Sequence, residues 1–377
     1  MGVTVRRVQT RNELKEFVEF PNRLYKGNKC FVPKMFSDEM KTLDPKKNPA
    51  FEFCEAACFL ACDDEGKTVG RVAAIVNKKA NEIWSHAEVR FGWIDFIDDP
   101  SVSAALIDKV VEFGKQRGMT RISGPLGFTD FDPEGMLVEG FDQLCTMVLI
   151  YNYPYYPRHM EAMGFTKEVD WLEYKIYLPE KVPDKISRIA RIIEKRGEYH
   201  LLKVTRDMIR QENYGQKIFK LINDAYSGLY NFTPLTPKMI DGYVDQYLGV
   251  VNLDYVSLVV DNDGELAAVG ITIPSIVNAL QSCGGKLLPF GWSKILNSMY
   301  GKHEERIEMM LIGVRPEDAN KGLISLIFDD LLRRYIKKGF KWAETNAELE
   351  SNKAMSSIWG MFDYDQTKRR RIYTREI

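Results

Sequence analysis

Three patterns in the sequence bring together side chains able to do chemistry. Cys54, Cys58 and Cys62 recur every fourth residue, a spacing that invites a metal reading. The surrounding segment, ACFLACDDEGKTVGRVAAIV, reads as two strands joined by a turn, and on an extended strand the three thiols share one face. None of the four histidines (His86, His159, His200, His303) sits near that cluster. Buried, reduced core cysteines are the preferred reading, and no metal is expected. A second pattern, Thr129–Gly135, places Asp130, Asp132 and Glu134 in one loop. It suits a cationic amine pocket or, as the preferred reading, a solvated turn. The third is the basic run Lys368-Arg369-Arg370-Arg371, which could touch RNA or another phosphate but reads rather as an exposed strand end.

The chain of 377 residues has room for two or three domains at about 150 residues each. Lys and Arg total 52 against 53 Asp and Glu, a net charge of −1, which argues against a surface built to hold nucleic acid or an anionic membrane all over. With 45% hydrophobic and 28% charged residues, the composition supports sizeable cores and excludes intrinsic disorder. No apolar run reaches the roughly 18 residues of a membrane helix. The first residues, MGVTVRRVQTRNELKEF, lack a signal-peptide core, and Arg6 stands where a myristoylation motif needs Ser or Thr. A cytoplasmic protein with neither nucleic-acid nor membrane partner is expected.

The elements that would position reactive groups occur twice. Asp63-Asp64-Glu65-Gly66-Lys67 separates two alternating apolar runs, and Asp261-Asn262-Asp263-Gly264-Glu265 does the same later in the chain. Both are hairpin signals. A further strand follows each, FGWIDFI (Phe91–Ile97) and IEMMLIGV (Ile307–Val314). Then comes an acidic, Pro-containing turn and an amphipathic helix, with Val102, Leu106, Val110 and Phe113 on one stripe and Leu323, Ile327, Leu331 and Tyr335 on the other. Each helix ends in basic residues and a glycine, Gly118 or Gly339, and leads into another short strand. From hairpin glycine to helix-stop glycine, the second copy is 23 residues longer than the first, which locates an insertion near 275–303. The linker Leu178-Pro179-Glu180-Lys181-Val182-Pro183 divides the chain into 1–180 and 181–377. A mixed α/β (α+β) sheet with helices on its faces is predicted.

Hairpin, strand, acidic turn, helix, strand, helix, strand resembles the element order of the GNAT acyltransferase superfamily, in a two-copy form. The segments GPLGFTDFDPEGMLVEGFD and NYPYY look like a tandem branch found in bacteria. The resemblance implies two tandem GNAT-like domains and acyl-CoA, such as acetyl-CoA, as co-substrate. In the second copy, Ile312, Gly313 and Val314 would pair with the pantetheine arm, and the loop Arg315–Gly322 would take the pyrophosphate, with Asn320, Lys321, Gly322 and Leu323 against it. The family motif Q/R-x-x-G-x-G/A is worn here to Ala319-Asn320-Lys321-Gly322-Leu323-Ile324. A helix N-terminus still offers amides and positive potential to a diphosphate. The first copy's loop, Asp98-Asp99-Pro100-Ser101-Val102-Ser103, lacks glycine and carries two acids, so a retained scaffold is the preferred reading there.

Asn352 falls where the family often has an Asn, and Trp359 stands where its proton-donating Tyr would be; an indole is no practical acid, which leaves Tyr364 and Tyr373 as substitutes. Among carboxylates, Glu308 and Glu344 lie on the elements that supply a general base. Glu308, at a strand start, also reads as plainly exposed. The aromatic stretch Asp224–Thr233, with Tyr226, Tyr230 and Phe232, would line the acceptor site. The expected activity is transfer of an acyl group to an amine or other small acceptor in the C-terminal copy. The rival is an inactive binding module of the same fold that recognises an amine or peptide. The acceptor, the acyl length and a homodimeric state are left open.

Overall fold

The structure is a computed structural model and describes residues 2–248, 251–301 and 304–377. His303 and the end of the 275–303 segment therefore lie outside the described residues. The first half opens with β1 (Thr4–Arg7), α1 (Arg11–Leu24) and α2 (Phe36–Thr42). The hairpin β2 (Cys54–Cys62) and β3 (Thr68–Asn77), α3 (Lys78–Ile83), β4 (Glu88–Phe96) and α4 (Pro100–Lys115) follow. β5 (Arg121–Gly124), β6 (Met136–Glu139), α5 (Tyr155–Ala162) and β7 (Thr166–Tyr177) complete it.

The second half repeats the order. It begins with α6 (Asp184–Arg196), β8 (Tyr199–Leu202), α7 (Arg206–Gln211), α8 (Tyr214–Tyr226) and α9 (Pro237–Tyr243). The hairpin β9 (Val256–Asp261) and β10 (Leu266–Pro274) is followed by α10 (Val277–Cys283) and α11 (Gly291–Tyr300), which form the insertion. Then come β11 (Arg306–Val314), α12 (Leu323–Lys338), β12 (Trp342–Glu344), β13 (Glu348–Leu349), α13 (Lys353–Trp359) and β14 (Tyr364–Glu376).

The two hairpin turns are built alike. Asp63 Oδ1 accepts from the N–H of Glu65 and Lys67, and Asp261 Oδ1 from the N–H of Asp263 and Glu265. Gly66 and Gly264 both sit at φ +77°, where only glycine is unstrained.

All main strands join one mixed sheet, in the order β1-β2-β3-β4-β5-β14-β7-β12-β11-β10-β9-β8. The two halves exchange their last strands. β14 pairs with β5 of the first half, Tyr373 opposite Gly124, and β7 pairs with β12 of the second, Ile176 opposite Ala343. The two exchanged strands pair with each other from Tyr364↔Ile176 to Thr374↔Thr166. The sequence divides at the 178–183 linker, but neither half holds a complete sheet of its own.

The exchange buries charge at the centre. Arg370 is fully buried and Lys368 nearly so, and both meet Glu173 of β7, at 2.5 and 3.1 Å. Arg371 and Arg369 reach Asp170 at 2.8 and 3.1 Å. The reading of this run as an exposed strand end is corrected here: its alternate residues point inward and each is met by an acid across the strand pair. Burial would raise the Glu173 carboxyl, but the two cations beside it hold it below the ordinary range. All six cysteines are free thiols, and Cys54 and Cys62 are buried.

Candidate functional site

In both halves the fourth strand parts from the fifth. β11 and β12 pair only from Arg306↔Trp342 to Glu308↔Glu344, and β4 and β5 only from Glu88↔Arg121 to Arg90↔Ser123. Beyond those rungs the parallel strands splay, and one edge of β4 and of β11 faces a gap. A bulge sits at the parting point in each, between Ile271 and Thr272 opposite β11 and between Arg71 and Ala73 opposite β4. Bulges end pairing and re-aim a strand.

The two gaps differ in what fills them. Arg315 N–H donates to Ala267 O at 2.8 Å, so Val314 and Ile312 turn their backbone groups away from β10, into the gap. Ile312 O accepts from the Tyr226 hydroxyl at 3.0 Å, and Met310 O from Asn346 Nδ2 at 3.4 Å. Among the described residues, the Ile312 N–H and both backbone groups of Val314 find no protein partner. Met309, Met310, Leu311 and Ile312 are all partly exposed. In the first half the matching edge is stoppered. Phe96 N–H donates to the Tyr156 hydroxyl at 3.0 Å, and Phe96 O accepts from the Tyr155 hydroxyl at 2.6 Å. Tyr156 in turn meets Tyr25 at 2.7 Å above Asp95. A void of only about 50 Å³ remains there, edged by Lys34, Glu39, Arg71 and Trp93.

The helix mouths differ in the same sense. At the second, Pro316–Asp318 makes a tight turn, and Gly322 at φ +78° opens α12. Lys321 N–H is spent on Asp318 O. The amides of Asn320, Gly322, Leu323 and Ile324 have no acceptor among the described residues, while Asn320 and the Lys321 side chain are exposed. Arg315 is held by Asp261 and Asp318 at 3.0 and 2.6 Å, so Lys321 is the loop cation left to meet an anion. At the first mouth, the Asp99 side chain accepts from Ser101 N–H at 2.8 Å, and His159 bridges Asp98 and Ser103 at 3.0 and 2.9 Å. Acids and their partners fill the place of an anion.

A carboxylate stands beside the open gap. Trp359 Nε1 donates to both oxygens of Glu348, each at 3.1 Å. Burial pushes the Glu348 carboxyl up to about 7, the indole hydrogen bond only partly offsetting it. Glu348 is close enough to bear on Tyr226, which burial moves up to about 12 and keeps protonated as a donor. Tyr226 and Asn346 thus border the free edge of β11, and Glu348, held by Trp359, stands near Tyr226.

Comparisons with known proteins bear on the family and the fold. No family model matches the chain. The bacterial ceramide synthase of Caulobacter vibrioides is 30% identical over 98% of this chain and 96% of its own. Protein YghO of Escherichia coli is 26% identical over 99% of this chain and 95% of its own. Among solved structures, a tandem GNAT protein from the clavulanic acid biosynthesis pathway superposes with a TM-score of 0.56 at 13% identity, covering 100% of this chain and 98% of that one. The chain belongs to the family of the Caulobacter bacterial ceramide synthase, and its fold is that of a tandem GNAT protein. Its tandem form and mixed sheet are those expected from the repeated element order.

The chain gathers some of the anticipated residues and scatters others. Ile312, Val314, Asn320, Lys321 and Gly322 line the gap and the mouth. Gly313 faces α8 instead, where an added Cβ would lie 2.9 Å from Ile222, and the Leu323 side chain is core. Asn352 Oδ1 accepts from Met355 N–H at 3.3 Å and caps α13. Of the aromatic stretch, Tyr226 alone reaches β11. Phe232 O accepts from Trp84, and the Tyr230 ring packs on Trp171, both first-half residues. Tyr373 is buried between β5 and β7, its hydroxyl on Glu161 at 2.9 Å, so it stands with the first half and away from the α12 mouth.

Glu308 is buried, not exposed, because the first half folds over it: its oxygens accept from Met147 N–H at 3.0 Å and Ser275 Oγ at 2.7 Å. Glu344 accepts from Arg306 at 3.2 Å and lies 3.7 Å from Lys368. In the acidic loop, Asp132 accepts from Phe128 and Thr129 N–H and Asp130 from Thr233 N–H, so the loop is an internal joint rather than a solvated turn. Sequence reasoning missed Glu348. It is one of three acids in ETNAELE, and only the Trp359 contact, eleven residues on, separates it from the others.

Proposed function

We propose that this protein is an acyl-CoA-dependent N-acyltransferase whose reaction centre lies in the second half, at the gap between β11 and β12. The observation that carries the reading is the asymmetry of the two gaps: the edge of β11 keeps unpaired backbone groups, whereas Tyr155 and Tyr156 stopper that of β4. The donor supplies an acyl group activated as a thioester. The free amides of Asn320 and Gly322–Ile324, with Lys321, would hold its diphosphate. Ile312 and Val314 would pair with its amide-bearing arm as with an added strand. Glu348 accepts the proton that the attacking amine loses. The amine nitrogen forms the new C–N bond as the C–S bond breaks, and the thiolate leaves. Trp359 orients the carboxylate, and Tyr226 fixes the strand edge.

The name of the Caulobacter relative supports a lipid acceptor, since a ceramide is the amide of a fatty acid and a long-chain amino alcohol. The half-exposed run Met309–Ile312 offers such chains an apolar wall. Calorimetric titration with a long-chain acyl-CoA tests the donor site. Lys321→Glu should weaken binding at least tenfold, while Ser101→Glu, at the first mouth, should leave it unchanged. Equal losses in both variants, or in neither, refute the assignment to the second half. Tight donor binding with no turnover on long-chain amines would favour the inactive-module reading.

A further inference from the structure

The insertion after β10 has no counterpart in the first half, where only α3 links β3 to β4. Its inner face is ordinary core. Ile276, Val277, Leu280, Ile295 and Met299 pack into the first half's apolar cluster. It is also pinned there: Phe36 N–H donates to Gly285 O at 3.0 Å, and Gln281 donates to the carbonyls of Lys29 and Phe31, each at 2.9 Å. Its outer face is not what a solvated surface requires. Leu288 is 79% exposed, Phe290 71%, Trp292 50%, Tyr300 49% and Leu296 41%. Trp292, Leu296 and Tyr300 recur at helical spacing beside the buried Gly291, Ile295 and Met299, so α11 is apolar on two faces. Leu288 and Phe290 cap the turn that precedes it.

The charge carried by the insertion itself has one sign. No acidic residue occurs between Glu265 and Glu304, a stretch that holds Lys286, Lys294 and Lys302. Lys286 and Lys294 are exposed beside the patch, as are Lys26 and Lys29 on the adjoining first-half segment. Lys286 meets Glu19 at 2.7 Å, and Lys294 donates to Ser282 O at 3.3 Å.

We propose that the α10–α11 insertion docks this protein on an anionic lipid bilayer. A surface that pairs Trp, Tyr, Phe and Leu with lysines suits the headgroup boundary, where rings and acyl contacts lie below and ammonium groups meet phosphate. Self-association fits less well, because a two-fold contact would press an insertion that carries lysines and no acid of its own against its own copy. The surface is peripheral, and among the described residues no helix is long and apolar enough to cross a membrane. The inference runs against the expectation of no membrane partner, and it stands whether or not the transferase reading holds.

The test is co-sedimentation of the full chain with vesicles of phosphatidylcholine alone or with about one-third phosphatidylglycerol. The expected result is binding to the anionic vesicles that exceeds the neutral ones at least tenfold and falls with added salt. Leu288→Glu with Phe290→Glu should cut it at least tenfold, and Lys294→Glu severalfold. Circular dichroism should show both variants folded, since all three side chains are exposed. Absence of binding to anionic vesicles overturns the proposal, as does binding that the paired substitution leaves intact. So does a dimer by light scattering that the same pair of substitutions converts to monomer while no vesicle binding is seen.

Discussion

Replacing Glu348 by Gln separates the chemistry of this site from its architecture. The amide keeps the volume and one oxygen acceptor for the Trp359 indole, so the contacts at 3.1 Å survive in part. What is lost is the ability to take a proton. A positioned general base contributes about 10²- to 10⁴-fold, so kcat/KM should fall by that factor, a barrier increase of about 3 to 5 kcal/mol. The pH profile is the sharper readout. With the carboxyl pushed up to about 7, the wild type should lose tenfold in kcat/KM for each unit below 7 and level off above it. The variant should lack that acid limb.

Stability should move the other way. Burial raises the folded-state value above the unfolded one, so the folded state holds its proton longer. The carboxyl's contribution therefore falls as pH rises from about 4.3, the value for unperturbed Glu, through about 7. Removing it should stabilise the protein above pH 7, by no more than about 4 kcal/mol. A melting series at pH 5 and pH 8, run beside initial rates with a long-chain amine and acyl-CoA, reads both effects. Retention of activity within threefold, together with an unchanged acid limb, would falsify the assignment of Glu348 as the base.

Other parts of the molecule give equally direct tests. Burial moves Asp132 up to about 7, so Asp132→Asn, which keeps an acceptor for Phe128 and Thr129 N–H, should raise Tm at pH 8 and change it little at pH 4, as read by calorimetry. Glu173→Ala strands Lys368 and Arg370 in the interior and should cost about 3–5 kcal/mol in denaturant unfolding. Tyr155→Phe with Tyr156→Phe frees the edge of β4. It should leave acyl-CoA affinity unchanged by titration, because Asp99 and His159 still occupy the first mouth.

The fold was legible because its cues are local and come twice. A hairpin turn needs Asp and a left-handed glycine, and both Asp63–Gly66 and Asp261–Gly264 supply them. A helix stop needs a glycine such as Gly118 or Gly339. The exchange of β7 and β14 was not legible, since nothing local in a strand states which fifth strand it will meet. That one non-local fact accounts for several surprises. It buried Lys368 and Arg370, it carried Tyr373 into the first half, and it set Glu173 where both cations need it. Burial was equally hidden for Glu308 and Asp132, whose partners come from segments distant in sequence or from backbone amides.

The exchange also bears on why one copy can lose its gap without the other following. Each half needs the partner's last strand, so neither can be discarded, yet their gaps lie on opposite sides of the β14–β7 pair and are filled independently. In the first half, Tyr155 and Tyr156 convert an edge that would take a ligand into packed core. In the second, the loop after α8 crosses to the first half, where Asn231 accepts from Arg90 at 3.0 Å and Thr233 N–H meets Asp130 at 2.8 Å. Tyr226, just before that crossing, is thereby held against Ile312. The sealed copy thus acts on the open one through the loop it anchors. Arg90→Ala should accordingly raise KM for the acceptor more than it lowers kcat, since it loosens the loop and leaves Glu348 in place. A variant that lost kcat alone would break the connection drawn between the two halves.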